Sequence, residues 1–184
     1  MRIALSGTHA VGKSTLLVDL RDELAAYACV DEPYYQLLDE GHIFADSPSV
    51  DDFVAQLERS IDRLSSERAT DVLYDRCPAD FLAYLSVLQA HESVREWLGP
   101  AKHALQTLDL IVFVPVEQPD RIAAAAAADR LRRKVDVCLR DILLDDSYGF
   151  NRSMISVHGS AAERVSQVVA AIQQRDFHTR LRAV

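Results

Sequence analysis

Short apolar runs alternate with amphipathic stretches along the chain, and this alternation predicts a repeating strand-helix order. Residues 2–6, RIALS, form an apolar run that ends at Ser-Gly and read as a buried strand. Leu16, Leu17, Leu20 and Leu24 recur at helical spacing, which predicts a helix from Lys13 to Tyr27. A second strand is expected near 28–31, stopped by Pro33, and residues 41–50 read as a loop. Ser49 is placed to cap a helix running to about Ala69, with Phe53, Leu57, Ile61 and Leu64 along one face. A third strand falls at 72–75 and is closed by Pro78, after which residues 79–89 form a strongly apolar helix. A further helix over about 92–107 should break or kink at Gly99-Pro100. The run LDLIVFVPV, 108–116, is the clearest strand. Leu131, Val135, Leu139 and Ile142 then mark one helix face, SMISVHG at 153–159 a fifth strand, and residues 160–172 a closing helix.

Strands separated by helices pair in parallel, because a parallel crossover needs a long connection. Both sheet faces are then covered, which accounts for continuous rather than alternating apolar strands. The expected fold is therefore α/β and three-layered: a central parallel five-stranded sheet with helices on both faces. A chain of 184 residues fits one domain with ample core.

Composition narrows the function classes. The net charge of −8 disfavours binding to extended nucleic acid, which usually shows as excess Lys and Arg, but leaves room for a small anion in a local basic pocket. No run of 18 apolar residues occurs and the first residues lack the apolar run of a signal peptide, so a soluble, cytoplasmic protein without membrane partners is expected. Cys29, Cys77 and Cys138 are an odd number without a CxxC pair and read as reduced thiols in or near the core.

The chemistry begins at Gly7. Residues 7–14, GTHAVGKS, fit G-x-x-x-x-G-K-[ST] between a predicted strand and a predicted helix. Gly7 and Gly12 permit backbone geometry that a side chain hinders, and the amides of the loop, including Thr8, Ala10 and Val11, converge on phosphate oxygens. Lys13 brings positive charge to the β- and γ-phosphates, Ser14 offers a hydroxyl to Mg²⁺, and the helix through Thr15 adds its dipole. The pattern predicts a nucleoside-triphosphate site for ATP (or GTP) with Mg²⁺. His9 stands at a variable position of the loop and receives no chemical role, while the remaining histidines form no metal spacing.

In a parallel sheet the ligand lies beyond the carboxyl ends of the strands. Asp31-Glu32-Pro33 follow the second strand and Asp75-Arg76 the third. Asp75 can hold Mg²⁺, Arg76 can fork onto a phosphate or an acceptor group, and Glu32 can take or orient an acceptor hydroxyl proton. Arg121, Arg130, Arg132, Arg133 and Lys134 follow the fourth strand and read as a basic lid that neutralises the transferring phosphoryl group, with an alanine run at 123–128 as its stiff arm. Gly159 follows the fifth strand, a place suited to contact the nucleotide base.

The segments GTHAVGKST, DEP, DRCPADFLAYL, RLRRKVDVCLRDIL and VHGSAAERV together resemble the small bacterial P-loop ATPase/kinase proteins grouped with the kinase domain that phosphorylates nicotinamide riboside. The resemblance spans roughly residues 1–174 and implies a P-loop kinase-like domain with a lid at about 117–134, followed by a basic tail at 175–184. It implies that Lys13 and Ser14 serve the triphosphate and Mg²⁺, that Asp75 and Arg76 face metal and acceptor, and that Arg132 is the lid arginine. Glu32-Pro33 also looks like the Glu-Pro pair of deoxynucleoside kinases, whose glutamate acts on the acceptor hydroxyl. The expected activity is transfer of the γ-phosphate of ATP to a nucleoside- or nucleotide-like small molecule. The alternative is an NTP-binding or hydrolysing regulatory module without such an acceptor.

Overall fold

The computed structural model describes residues 1–120 and 126–182, with side chains for 1–120 and 128–175; Arg121 and the start of the alanine run lie outside the described residues. In chain order the elements are β1 (Arg2–Ser6), α1 (Lys13–Glu23), β2 (Ala28–Val30), α2 (Pro33–Asp39), α3 (Val50–Ser66), β3 (Val72–Asp75), α4 (Pro78–Val87), α5 (His91–Leu105), β4 (Leu110–Phe113), α6 (Ala126–Leu143), β5 (Met154–Ser156) and α7 (Ala161–Arg182). The five strands form one sheet in the order β2-β3-β1-β4-β5, and every pair is parallel. Among the described residues no helix is long and apolar enough to cross a membrane.

The period-two alternation of the strands divides the core into two layers. Ile3, Leu5, Leu73, Leu110 and Val112 point to the face covered by α1 and α7, where they meet Leu16, Leu20 and Val168. Ala4, Val72, Tyr74, Ile111 and Phe113 point to the other face and pack on α3, α4, α5 and α6 through Leu57, Phe81, Leu105 and Leu139. Helix α4 is buried almost all round because neighbouring helices enclose it, as its unbroken apolar run requires.

Two local expectations are corrected. Helix α1 stops at Glu23, four residues before Tyr27. The amide of Tyr27 donates to the Leu24 carbonyl at 2.8 Å, a turn that delivers Ala28 to its bond with the Asp71 carbonyl at 2.9 Å and starts β2. Helix α5 continues unbroken through Gly99-Pro100. The carbonyl that loses its donor is that of Glu96, an exposed residue, so water can take it, and Gly99 has no Cβ to clash with the proline ring.

Helix α3 starts where the sequence predicts. The Ser49 hydroxyl oxygen accepts from the Asp52 amide at 3.1 Å, and the hydroxyl donates to the Asp52 carboxylate at 2.6 Å. The same carboxylate accepts from the Ala45 amide at 3.1 Å and lies 3.0 Å from His42 Nε2, so it pins the 41–49 loop to the helix start. Burial works against the charge of Asp52, but the bonds from Ser49, His42 and Ala45 outweigh it and hold the carboxyl below its ordinary range. The three cysteines are free thiols, Cys77 buried and the other two half-buried.

Candidate active site

The loop between β1 and α1 is shaped by its glycines. Gly7 sits at φ +152°, and a Cβ there would collide with the carbonyl oxygen of Val114. Gly12 caps α1 in the left-handed region at φ +91°. The loop therefore packs closely against the end of β4 at Gly7 and enters α1 through Gly12.

Lys13 is buried, and its ammonium donates to the Thr8 carbonyl at 2.7 Å, so it lies within the loop it is expected to serve. Burial lowers its pKa to about 8; Arg76 pushes the same way, against the opposing pull of Asp75, Asp80 and Glu32. A bound polyanion would reverse that balance. Ser14 Oγ donates to Asp75 Oδ2 at 3.2 Å, and the second oxygen of Asp75 is buried with no hydrogen-bond partner. Burial raises the pKa of this carboxyl, with the charge of Lys13 opposing. An unpartnered carboxylate oxygen beside a hydroxyl at the head of a phosphate loop fits Mg²⁺, which takes oxygen ligands from one or two side chains and the rest from phosphate and water. Among the described residues no group of three His, Cys, Asp or Glu side chains able to hold a metal occurs.

Arg76 occupies the left-handed region at φ 75°, a costly conformation for a residue with a Cβ. Its amide still extends the sheet by bonding the Leu5 carbonyl at 2.9 Å, and its guanidinium turns back over the loop, donating to the Gly7 carbonyl at 2.9 Å. The Nε of Arg76 also donates to the Glu32 carboxylate, which reaches in from the start of α2. Burial opposes the charge on Arg76, but the negative charges of Glu32 and Asp80 keep its pKa above the ordinary arginine range. Asp31 is exposed, whereas Glu32 is half-buried at this junction.

Glu32 and Arg76 line a cavity of about 370 Å³ whose walls include Tyr34, Phe44, Phe53 and Tyr84. Phe53 stacks on Tyr84 with centroids 4.4 Å apart, and Tyr34 lies 4.3 Å from Phe44. Gln56 adds an amide to the wall.

On the other side of the loop lies a smaller cavity of about 240 Å³, lined by Gly12, Thr15, Glu117, Arg132, Gly159 and Arg164, among others. Arg132 is almost wholly buried. It bonds both oxygens of Asp120, at 2.5 and 3.1 Å, and donates to the loop carbonyls of His9 at 3.2 Å and Ala10 at 3.3 Å. Of the cations predicted for the lid, Arg132 alone among those described touches the loop. Arg130, Arg133 and Lys134 are exposed, and Arg133 pairs with Asp129 at 2.8 Å. The Gly159 amide donates to Glu117 at 2.5 Å, which also pairs with Arg164 at 3.0 Å.

Four residues of the site carry no clear sequence signal. Asp80 accepts from the Gly7 amide at 2.8 Å and from the Cys77 amide at 2.9 Å, tying the phosphate loop to the start of α4. Its place three residues after the helix cap was the available clue. Arg164 donates to the Val11 carbonyl at 2.7 Å from the far end of the chain. Tyr84 bonds the His9 amide at 3.1 Å, and His9, given no role from sequence, lines the aromatic cavity.

A parallel sheet ordered 2-3-1-4-5 around a Gly-Lys-Ser loop, with an arginine of the following helix on that loop, defines a P-loop kinase fold. A family model described as an AAA domain matches residues 2–164, and the chain belongs to that family. No curated protein matches it by sequence. In structure it is similar to deoxyadenosine kinase from M. mycoides, at 12% identity and TM-score 0.65 over 95% of this chain and 99% of that one. It is also similar to thymidylate kinase from Candida albicans, at 17% identity and TM-score 0.62 over 96% and 92% of the two chains. A third likeness is to NadR protein in complex with NR, at 16% identity and TM-score 0.69; it covers 94% of this chain but 50% of that one. At these identities the likeness carries the fold.

Proposed function

We propose that the protein is a cytoplasmic, ATP- and Mg²⁺-dependent kinase that transfers the γ-phosphoryl group to a hydroxyl or phosphate of a nucleoside- or nucleotide-like small molecule. The observation that carries this reading is the Glu32–Arg76 pair. It stands between the phosphate loop and an aromatic cavity large enough for a small metabolite. A protein that only binds or hydrolyses NTP needs the loop, but it has no use for a carboxylate and a guanidinium at the mouth of a second pocket.

In this reading the amides of Thr8 and of Ala10 through Ser14, with the Lys13 ammonium, hold the triphosphate, Gly7 shapes the loop, and Thr15 and Gly159 lie on the side of the base. Ser14 and Asp75 would hold Mg²⁺, which would neutralise charge on the phosphates when bound. A flat ring stacks in the aromatic cavity beside Phe53 and Tyr84. The acceptor oxygen forms its bond to the γ-phosphorus while the bond from that phosphorus to the β–γ bridging oxygen breaks, and ADP leaves. When the acceptor group is a hydroxyl, its proton passes to the carboxylate of Glu32. Arg76 orients that carboxylate, and with Arg132 it faces the charge that spreads over the transferring group.

The test is a panel of nucleosides and nucleotides incubated with the purified protein and Mg·ATP, with products identified by mass. Phosphorylation of at least one member, lost on Glu32→Gln, is expected. Phosphate release that no member of a broad panel diverts would overturn the kinase reading and favour an NTP-driven regulatory module.

A further inference from the structure

Five consecutive carbonyls of the phosphate loop each accept a hydrogen bond from a cationic side chain. Arg76 holds that of Gly7 at 2.9 Å and Lys13 that of Thr8 at 2.7 Å. Arg132 holds those of His9 and Ala10, at 3.2 and 3.3 Å. The fifth is held from α7, where Arg164 donates through one terminal nitrogen to the Val11 carbonyl at 2.7 Å. The other terminal nitrogen of Arg164 pairs with Glu117 at 3.0 Å, and Glu117 accepts from the Gly159 amide at 2.5 Å. The guanidinium is thus braced by the segments that follow β4 and β5.

The Val11–Gly12 peptide has two directions open to it. Turning it over changes ψ of Val11 and φ of Gly12; valine is allowed in both ψ basins, and glycine takes either sign of φ at little cost. In the structure the peptide is trans and its carbonyl faces Arg164, so its amide points the opposite way. Gly12 stands at φ +91°, and a Cβ on it would lie 3.1 Å from the Arg164 guanidinium, which therefore sits directly against this peptide. The next carbonyl, that of Gly12, already begins α1 by accepting from the Leu16 amide at 3.0 Å. Arg164 therefore holds the last peptide before the helix, where main-chain amides collect an anion.

We propose that Arg164 is a positioning residue of the nucleotide site: from α7 it locks the Val11–Gly12 peptide with its carbonyl turned away from the phosphates and its amide turned toward them. The role rests on the reading of this loop as a phosphate site. Its physical basis is that glycine leaves the peptide free to turn, and a turned peptide would present an oxygen to an anion in place of an N–H.

The test compares Arg164→Met and Arg164→Lys with Arg175→Met. Arg175 lies on the same helix and also donates to a main-chain carbonyl, that of Asp109 at 2.8 Å, but far from the loop in sequence, so its variant controls for a loss that only affects stability. The probes are Mg·ATP and Mg·tripolyphosphate by calorimetry; the second has no base or ribose and reads the loop alone. Arg164→Met is expected to weaken both about tenfold, as for one hydrogen bond to a charged group, and Arg175→Met to leave both unchanged. Arg164→Lys keeps the charge but cannot span Val11 and Glu117 together, and a loss of about threefold is expected. In the free protein, ¹⁵N relaxation of the Gly12 amide is expected to show added motion in Arg164→Met, as a lowered order parameter or as dispersion, and none in Arg175→Met.

Affinity for Mg·tripolyphosphate within twofold of wild type in Arg164→Met overturns the proposal, as does an equal loss in Arg175→Met. Lost affinity without added motion at Gly12 assigns the effect to charge alone and overturns it too. Should Arg164→Met not fold, Arg164→Lys decides, and wild-type affinity there is fatal. Failure of the phosphate-site reading is recognised in the unmodified protein, which would then take up neither probe.

Discussion

The two sides of the phosphate loop are built from different chemistry. On one side Tyr34, Phe44, Phe53 and Tyr84 make a cavity of about 370 Å³ where ring meets ring, with the Glu32–Arg76 pair, His9, Asp52 and Gln56 among its polar lining. On the other side Arg132 and Arg164 are locked to Asp120 and Glu117, at 2.5 and 3.0 Å, around a smaller cavity. Stacking surfaces select a flat, weakly charged body and leave its orientation to a few polar groups. Paired ions instead make a rigid frame in which an anion can be held without rearrangement. The contrast fits a site that receives two unlike partners and brings them together at the loop.

The sharpest way to break the comparison is to alter one side and measure both. Glu32→Gln removes the proton acceptor while keeping a hydrogen-bond partner for Arg76. Turnover of the acceptor is expected to fall about 10²- to 10⁴-fold, the usual worth of a positioned general base, with Mg·ATP affinity unchanged by calorimetry. A parallel loss of ATP affinity would show that the two sides are not separable.

A smaller effect is expected from Lys13. Lys13→Ala should weaken Mg·ATP binding by roughly 10- to 100-fold, as for loss of a charge-assisted hydrogen bond, and leave acceptor binding to the aromatic cavity alone. The same residue gives the site a pH dependence whose sign follows from its depressed pKa of about 8. Below that value the ammonium is charged and ready; above it the free protein has lost the proton, which the triphosphate must then restore. Affinity is therefore expected to fall with rising pH above about 8, by at most about tenfold per pH unit, with net proton uptake on binding. Calorimetry in buffers of different ionisation enthalpy measures that uptake, and Lys13→Ala should abolish it.

The smallest expected effect lies away from the loop. Ser49→Ala removes the cap of α3 and one partner of Asp52, and should cost about 1 kcal/mol of stability in chemical denaturation. Because Asp52 and Ser49 line the aromatic cavity, the acceptor KM should rise while the ATP KM holds. A change confined to stability would separate the cap from recognition.

The periodic elements were legible in the chain because they follow from local pattern. Residues 2–6 and 72–75 match their strands to the residue, and Ser49 caps its helix as expected. The Gly-Lys-Ser loop was readable too, since its chemistry needs contiguous residues. The misses have a common cause. Tyr27 lost its place in α1 because β2 needed the turn, and Pro100 stayed in α5 because the carbonyl it leaves without a donor belongs to the exposed Glu96; both outcomes depend on surroundings.

What the sequence determined by itself was therefore the alternation of strand and helix, and the place of the phosphate loop within it. Only the tertiary structure decided the rest of the site. Asp80, Tyr84 and Arg164 reach Gly7, His9 and Val11 across 73, 75 and 153 residues of chain, and no local pattern records such a meeting. A backbone period is set by neighbours in sequence. A side-chain contact is set by which strands lie side by side, and that order, β2-β3-β1-β4-β5, exists only once the sheet has formed.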